Sequence, residues 1–144
     1  MSREKILKAI KKNISYRVEK NVNYSFTKFD NKLEEFIKNF KAAGGEIVNS
    51  TNGFEVTLNA QFGVAENGSC FINNVKDRKL YTYYSSIVIL LDKDKIVNSM
   101  EEAMKLVEID DFALFMCGPS KTADIEQSLV IGAHGAKRVG LKFI

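Results

Sequence analysis

The chain of 144 residues contains no tryptophan, one proline, one histidine and two cysteines. It also lacks a long apolar stretch, since the longest aliphatic run, Ile87–Leu91, is far shorter than the roughly 20 residues that a membrane-spanning helix requires. The first 20 residues alternate charged and isolated aliphatic positions, without the continuous apolar core of a secretory signal. We therefore expect a protein without a membrane span that works in the cytoplasm.

The two cysteines limit the metal chemistry that the chain can carry. Cys70 and Cys117 are too few and too far apart in the sequence for a zinc or iron–sulfur site of their own. They fit a reducing compartment, in which both thiols pack near strands. We expect that this chain alone binds no metal and no cofactor.

Basic residues are concentrated at the amino terminus. The net charge is +3, but residues 1–41 carry 11 Lys and Arg against 5 Asp and Glu, whereas the remainder carries 10 against 13. We predict a single domain of residues 1–144 in which residues 1–28 form a basic helical arm. The arm is either a solvated helix face or a surface that docks on an acidic partner. No aromatic and basic pattern of nucleic-acid recognition accompanies it, so we expect no nucleic-acid binding.

Helical and strand patterns alternate along the chain. Three segments carry helix signals: an apolar stripe after Ser2, a stripe that Asp30 caps and Gly44 ends, and a capping box at Ser99. Strand patterns occupy Glu46–Val48, Phe54–Leu58, Ser69–Ile72, Ser86–Leu91, Phe112–Met116 and Val139–Ile144. The continuous apolar run in Ser86–Leu91 is typical of a strand that is buried on both faces. The predicted fold is α/β, with an open, mainly parallel sheet flanked by helices.

The stretch Gly118–Gly135 has the highest density of polar and turn-forming residues. It follows a predicted strand, and ligands of open α/β sheets bind at the carboxyl ends of strands. Gly118–Thr122 supplies backbone N–H groups, two hydroxyls and an ammonium group ahead of a short helix predicted at Ile125–Leu129, which favours an anion site. In the alternative interpretation, Ser120 or Thr122 only caps that helix.

Three further residues in this stretch could be metal ligands by type. Asp124, Glu126 and His134 are suitable donors, but Asp-x-Glu on a helix points its two side chains about 200° apart, so we expect no metal. Asp124 is expected to accept backbone N–H bonds. Glu126 is expected to pair with Lys121 or Lys137. His134 lies in a tight turn and is either a structural hydrogen-bonding residue or a base.

Glu66 and Cys117 are the remaining candidates for chemistry. Glu66 stands at a turn between strands, where it either faces a pocket at the edge of the sheet or is a solvent-exposed turn acid. Cys117 is either a thiolate that a helix dipole activates or a buried cysteine at the end of a strand. No Ser-His-Asp or Cys-His arrangement is recognisable in the sequence.

Two of these segments resemble the LUD (lactate utilisation) domain family. Gly63–Ser69 is similar to that family's Ala-Glu-Thr-Gly-Thr segment, and Gly118–Gly135 is similar to its Gly-Pro-Ser-Arg-Thr-Ala-Asp-Ile-Glu motif and the Gly-x-His-Gly-Pro turn that follows. The sequence departs from the family at three motif positions, Asn67, Lys121 and Ala136. It is also shortened, because the segment between Val48 and Gly63 leaves no room for strands and helices that longer members have there.

The resemblance implies a fold related to the phosphosugar isomerases and the CoA transferases. It also implies a component of L-lactate oxidation to pyruvate that works with iron–sulfur partner proteins, which would hold the clusters. A small anionic ligand is expected to contact residues of the two turns, namely Gly68, Ser69, Gly118, Ser120, Lys121, Thr122, Asp124, Glu126 and His134. One alternative is an acyl- or CoA-transferase-like enzyme with Glu66 as the nucleophile. Another is a non-catalytic interaction module, and a homodimer is compatible with any of these.

Overall fold

The computed structural model describes residues 3–13, 28–73, 77–109, 112–125 and 128–144. Within these residues the helices are α1 (Arg3–Asn13), α2 (Lys32–Ala42), α3 (Met100–Leu106) and a single 3-10 turn at Arg78–Tyr81. The strands are β1 (Glu46–Ile47), β2 (Val56–Asn59), β3 (Phe62–Val64), β4 (Ser69–Asn73), β5 (Ser86–Leu91), β6 (Ile96–Val97), β7 (Ala113–Met116), β8 (Lys121–Ile125), β9 (Ser128–Ile131) and β10 (Arg138–Phe143). The described helices are all too short or too polar to cross a membrane.

The centre of the molecule is a parallel sheet with the strand order β1-β10-β5-β2. The apolar strand β5 pairs in parallel with β10 on one side and with β2 on the other. Ile87, Val88, Ile89 and Leu91 are all fully buried, as the continuous apolar run predicts. The α/β class and the mainly parallel sheet are therefore confirmed.

A second sheet, with the order β6-β3-β4-β7, lies beside the first and is mixed rather than parallel. Strands β3 and β4 form an antiparallel hairpin, and β4 pairs antiparallel with β7. The prediction of one sheet is incomplete here, because the short Asn67-Gly68 turn can only connect antiparallel neighbours. Gly63 lies inside β3. The rings of Phe62, Phe71 and Phe115 form a small core on this sheet, with centroids 4.9 and 5.0 Å from Phe71.

Helix α2 contacts both sheets and carries the largest buried rings of the main core. Its N-cap is Asn31, whose side chain accepts a hydrogen bond from the Glu34 amide, rather than the predicted Asp30. Phe36 and Phe40 are fully buried against the parallel sheet. The helix ends at the predicted place, where Gly44 adopts a left-handed backbone with φ of 95°.

The predicted caps of the other two helices have different outcomes. The predicted capping residue of α1, Ser2, lies outside the described residues, and the stripe of Ile6, Leu7 and Ile10 is about half exposed. At α3, the Ser99 hydroxyl accepts a hydrogen bond from the Glu102 amide, as predicted. The Glu102 carboxylate accepts a hydrogen bond from the Asn98 amide, one residue earlier than in an ideal capping box.

The helix predicted at Ile125–Leu129 is wrong. The segment forms an antiparallel hairpin in which Lys121 faces Ile131, Thr122 faces Val130 and Ile125 faces Ser128. Thr122, Ile125, Val130 and Ile131 are β-branched, and such residues prefer a pleated strand to a helix. The Gly118–Thr122 turn therefore leads into a strand, and no helix amino terminus stands behind it to attract an anion.

Candidate functional site

The turn after β7 is pressed against the carboxyl end of α2. Gly118 has a left-handed backbone with φ of 117°, and a Cβ at this position would lie 3.0 Å from the Ala43 carbonyl oxygen. A Cβ at Gly44 would lie 3.2 Å from Lys121 Nζ, so the ammonium group stands beside the end of the helix. A cation at this place complements the negative end of the helix dipole. Lys121 therefore has a structural contact that the sequence did not reveal.

Two backbone hydrogen bonds join the Gly118–Thr122 turn to the turn that contains His134. The Ser120 amide donates to the Ala136 carbonyl over 2.9 Å, and the Gly132 amide donates to the Ser120 carbonyl over 2.8 Å. Gly135 fits closely between the two segments, since a Cβ there would lie 3.2 Å from Ser120 Cβ. The two halves of the Gly118–Gly135 motif are thus held side by side at the end of β7.

These turns enclose a cavity of about 200 Å³. Its apolar wall consists of Leu114, Phe115, Met116, Ala136 and Val139. Its polar lining residues are Cys117, Ser120 and His134, and Tyr81, Gly118 and Gly135 complete the lining. The cavity therefore combines apolar walls with a few convergent polar groups, which is the usual composition of a small-molecule site.

Tyr81 also lines this cavity, and sequence analysis missed it. Only 8 % of the residue is exposed, and its hydroxyl oxygen is buried without a hydrogen-bond partner among the residues that the structure describes. Burial raises the pKa of the Tyr81 phenol above its ordinary value, so the group keeps its proton at neutral pH. In the sequence, Tyr81 belongs to the tyrosine-rich segment Tyr81–Tyr84, which is typical of a polar loop and does not indicate a buried residue.

The two cysteines are thiols in this structure. Burial raises the pKa of Cys117, an effect that the nearby Lys121 charge partly offsets, and the thiol donates to the Asn67 carbonyl over 2.9 Å. Burial also raises the pKa of Cys70 far above that of an ordinary cysteine, with a smaller contribution from Cys117. The hypothesis of a helix-activated Cys117 thiolate is wrong, because β8 and not a helix follows Cys117 in the chain.

Glu66 lies in the neighbouring turn, which connects β3 to β4. Its Oε2 accepts a hydrogen bond of 2.8 Å from the Met100 amide at the start of α3, and its own amide donates to the Asn98 carbonyl. The Asn39 side chain donates to the carbonyls of Ala65 and Glu66 over 2.8 and 3.2 Å. The exposed carboxylate of Glu66 thus caps a helix, and it is not among the groups that line the cavity.

The glycine and the serine of the Glu66 turn are also held by internal contacts. A Cβ at Gly68, where φ is 69°, would collide with the α2 backbone at Asn39 and Phe40. The Ser69 amide and hydroxyl both donate to Asn67 Oδ1, over 3.0 and 2.6 Å. Both residues are buried. Gly68 lets the turn contact the α2 backbone directly, and the Ser69 hydrogen bonds to Asn67 keep the turn tight.

The structure therefore brings three of the predicted ligand residues, Gly118, Ser120 and His134, to one cavity. The Glu66 turn touches the same region through the Cys117–Asn67 hydrogen bond, but its side chains point elsewhere. Thr122 pairs with Val130 in the hairpin and does not line the cavity. The Asp124 side chain and the whole of Glu126 lie outside the described part of the chain. Among the residues that the structure describes, no group of three His, Cys, Asp or Glu side chains could hold a metal ion.

A parallel core sheet flanked by helices, with a mixed sheet and a small cavity at the end of β7, defines an α/β domain. The sequence profile of the LUD domain matches residues 57–141, which include both turns, so the chain belongs to the LUD domain family. The resemblance inferred from the two motifs is thus confirmed.

Individual relatives agree with this assignment. The chain is 31% identical over 86 residues to lactate utilization protein C of Oceanobacillus iheyensis, covering 53% of this chain and 37% of the relative. It is 34% identical over 115 residues to lactate utilization protein C 1 of Bacillus mycoides, covering 73% of this chain and 45% of the relative. The chain thus spans less than half the length of these curated relatives.

A solved structure shows the same fold. The crystal structure of a DUF162 family protein from Deinococcus radiodurans superposes with a TM-score of 0.53, covering 78% of this chain and 95% of that chain. The two sequences are 12% identical, so the comparison concerns the fold alone.

Proposed function

We propose that this protein takes part in lactate utilisation and binds a small anionic molecule in the cavity beside Ser120 and His134. One observation carries the proposal: the two turns that resemble the family's long motif close on the same cavity. The relatives are named for lactate utilisation, and because this chain belongs to the same family, their names support a role in the same process. The cavity gives the place at which this chain would contact a small molecule of that process.

The role that suits this chain is binding rather than electron transfer. An iron–sulfur cluster needs about four thiolate ligands, and the sequence has two cysteines. The oxidation of L-lactate to pyruvate would therefore be completed with iron–sulfur partner proteins in the cytoplasm. The chain's contribution would be to hold the anionic molecule, or a partner that carries it, at the end of β7.

Growth on L-lactate tests the proposal directly. We expect that deletion of the gene for this chain prevents or strongly slows growth on L-lactate as the sole carbon source, while growth on glucose is unchanged. Expression of the wild-type chain from a plasmid should restore growth. Undiminished growth of the deletion strain on L-lactate would contradict the proposed role.

The acyl-transfer alternative finds little support in the geometry around Glu66. A carboxylate that accepts a hydrogen bond from the Met100 amide has one lone pair engaged, and it faces the end of α3 rather than the cavity. The interaction-module alternative depends on the arm, of which residues 14–27 lie outside the described residues. No specific observation favours either function over ligand binding.

A further inference from the structure

Helix α1 contributes nothing to the packed core of the described residues. Every side chain from Arg3 to Ile10 is exposed. Neither of the two hydrophobic clusters that the structure describes includes a residue of α1. The helix has 11 residues, and a helix of this length is only marginally stable in water without packing against another surface. A surface outside the core is therefore expected to stabilise it.

The side chains of α1 are divided between an apolar face and a basic face. At about 100° per residue, Ile6, Leu7 and Ile10 together cover about 100° of the helix circumference. Lys5 and Lys8 project from the opposite side of the helix. The three aliphatic residues are 46%, 45% and 51% exposed, so the apolar face is uncovered. A basic amphipathic helix of this kind is typical of a segment that lies in a membrane interface.

The charge of α1 complements an anionic surface. Against the single acid Glu4, the helix sequence carries five basic residues, namely Arg3, Lys5, Lys8, Lys11 and Lys12. Clusters of roughly four to eight basic residues on an amphipathic helix are typical of binding to anionic lipids. All but one of the five are lysines, which are point charges that suit a diffuse negative surface. Arginine is the residue favoured for bidentate pairs with fixed carboxylates of a partner protein.

We propose that α1 docks on the surface of an anionic lipid bilayer, with Ile6, Leu7 and Ile10 immersed at the boundary of the headgroups and Lys5 and Lys8 among the lipid phosphates. A bilayer suits the helix better than a nucleic acid does, because a nucleic-acid backbone offers nothing against which the apolar face can be buried. The inference is independent of the cavity at the end of β7 and of the ligand that binds there.

The distribution of charge along the chain would orient the protein on the bilayer. Residues 1–41 carry 11 Lys and Arg against 5 Asp and Glu, whereas residues 42–144 carry 10 against 13. An anionic surface therefore attracts the amino-terminal part and weakly repels the remainder. Because three aliphatic side chains bury little apolar area, the association is expected to be reversible and to depend on ionic strength.

Co-sedimentation of the full chain with lipid vesicles tests the inference. Vesicles of phosphatidylcholine and phosphatidylglycerol in equal parts should carry the wild type into the pellet at about 0.05 M NaCl, and about 0.5 M NaCl should release it. Vesicles of phosphatidylcholine alone should leave it in the supernatant. The double variant Lys5→Gln/Lys8→Gln should partition about thirtyfold more weakly onto the anionic vesicles. Ile6→Gln/Ile10→Gln should also partition about tenfold more weakly or less still, because the apolar face is lost.

The matched control is Lys93→Gln/Lys95→Gln, which removes the same charge from exposed positions between β5 and β6. This variant should partition onto the anionic vesicles nearly as the wild type does. The unfolding temperature without vesicles should be the same for the wild type and for both α1 variants, because the substituted side chains are exposed. A weaker partitioning of the α1 variants then reports on the helix surface and not on folding.

Four other outcomes overturn the inference. If the wild type stays in the supernatant with the anionic vesicles, or pellets equally with phosphatidylcholine alone, α1 does not recognise anionic lipid. If the control partitions as weakly as Lys5→Gln/Lys8→Gln, the net charge acts and not the helix. If light scattering shows a wild-type dimer that Ile6→Gln/Ile10→Gln dissociates, a second copy covers the apolar face. If polyglutamate or DNA competes the wild type off the vesicles at equal charge concentration, the partner is an acidic protein or a nucleic acid.

Discussion

The Glu66 turn and the cavity at the end of β7 are neighbouring regions of this protein that differ in how their polar side chains are hydrogen-bonded. In the Glu66 turn, the carboxylate, the backbone and the Asn67 side chain are engaged with Met100, Asn39 and Ser69. Beside the cavity at the end of β7, the Tyr81 hydroxyl is buried and has no hydrogen-bond partner within the described part of the chain. The Cys117 thiol donates a hydrogen bond to the Asn67 carbonyl and so connects the two regions.

This difference separates a turn that stabilises the fold from the cavity in which we propose that a ligand binds. Both turns resemble family motifs in sequence, and both combine glycine with polar residues. The Glu66 turn uses its polar groups to fix β3, α2 and α3 together. The cavity retains polar groups that a small molecule can satisfy. Variants of the first region should therefore affect stability, and variants of the second should affect binding.

The largest effect is expected from Gly68→Ala in the Glu66 turn. The left-handed φ of 69° and the collision with the α2 backbone both oppose a side chain here. We expect a loss of roughly 3 kcal/mol or more in the free energy of unfolding, because backbone cannot give way as a flexible side chain can. Chemical denaturation followed by circular dichroism measures it.

Gly53→Ala is the matched control for this substitution. Gly53 has a similar φ of 82°, but the nearest atom to an added Cβ is the Arg138 guanidinium at 4.0 Å. Gly53→Ala should lower the free energy of unfolding by about 1 kcal/mol, which is the cost of placing a side chain on a left-handed backbone. If Gly68→Ala and Gly53→Ala lower the free energy of unfolding equally, the collision of the added Cβ with the α2 backbone does not destabilise the protein.

A smaller effect is expected from Asn39→Ala on α2. The substitution removes the donor to the carbonyls of Ala65 and Glu66 and should cost about 1–2 kcal/mol of unfolding free energy. Lys38→Ala, on the same helix, removes only a surface ion pair with Glu35 and should cost less than about 0.5 kcal/mol. If the Asn39 variant is as stable as the Lys38 variant, the turn is not held by this side chain.

The sequence predicts the fold best where one local pattern determines the outcome. The apolar run of β5 requires burial on both faces, and the Gly44 left-handed backbone ends α2 where expected. The Asn67-Gly68 dipeptide is typical of a turn and lies between β3 and β4, but the pairing of β4 with β7 depends on residues at least 40 positions apart. Such pairing follows from packing in three dimensions, which no local pattern contains.

The candidate site was only partly predictable for the same reason. Gly118, Ser120 and His134 could be selected because their turn chemistry is dense and close in the sequence. Tyr81 could not, because its burial depends on Phe112 and on the Gly135 turn, both distant in the chain. The hairpin of β8 and β9 was missed because the anion-site hypothesis required a helix, although the β-branched residues favoured strands.

A still smaller effect on stability is expected from Glu66→Gln, which distinguishes the cap from a nucleophile. The amide oxygen can still accept from Met100, so the unfolding free energy should fall by about 0.5 kcal/mol through the lost charge at the start of α3. Binding of L-lactate should be unchanged. Borohydride trapping with acyl-CoAs, read by mass spectrometry, should give no Glu66 adduct in the wild type. An adduct that Glu66→Gln abolishes would revive the acyl-transfer hypothesis.

The smallest expected effect concerns Cys117, which lies between the two regions. Since burial raises its pKa, its alkylation by iodoacetamide should require a higher pH than that of an exposed cysteine. Lys121→Met removes the charge that opposes this shift, so the pH profile of Cys117 labelling, followed by peptide mass spectrometry, should move slightly upward. Lys121→Arg keeps the charge and should leave the profile in place. Identical profiles for the Met variant and the wild type would mean that the Lys121 charge does not affect the pKa of Cys117. The contact of Lys121 with the end of α2 would then be its only role that the structure shows in the described residues.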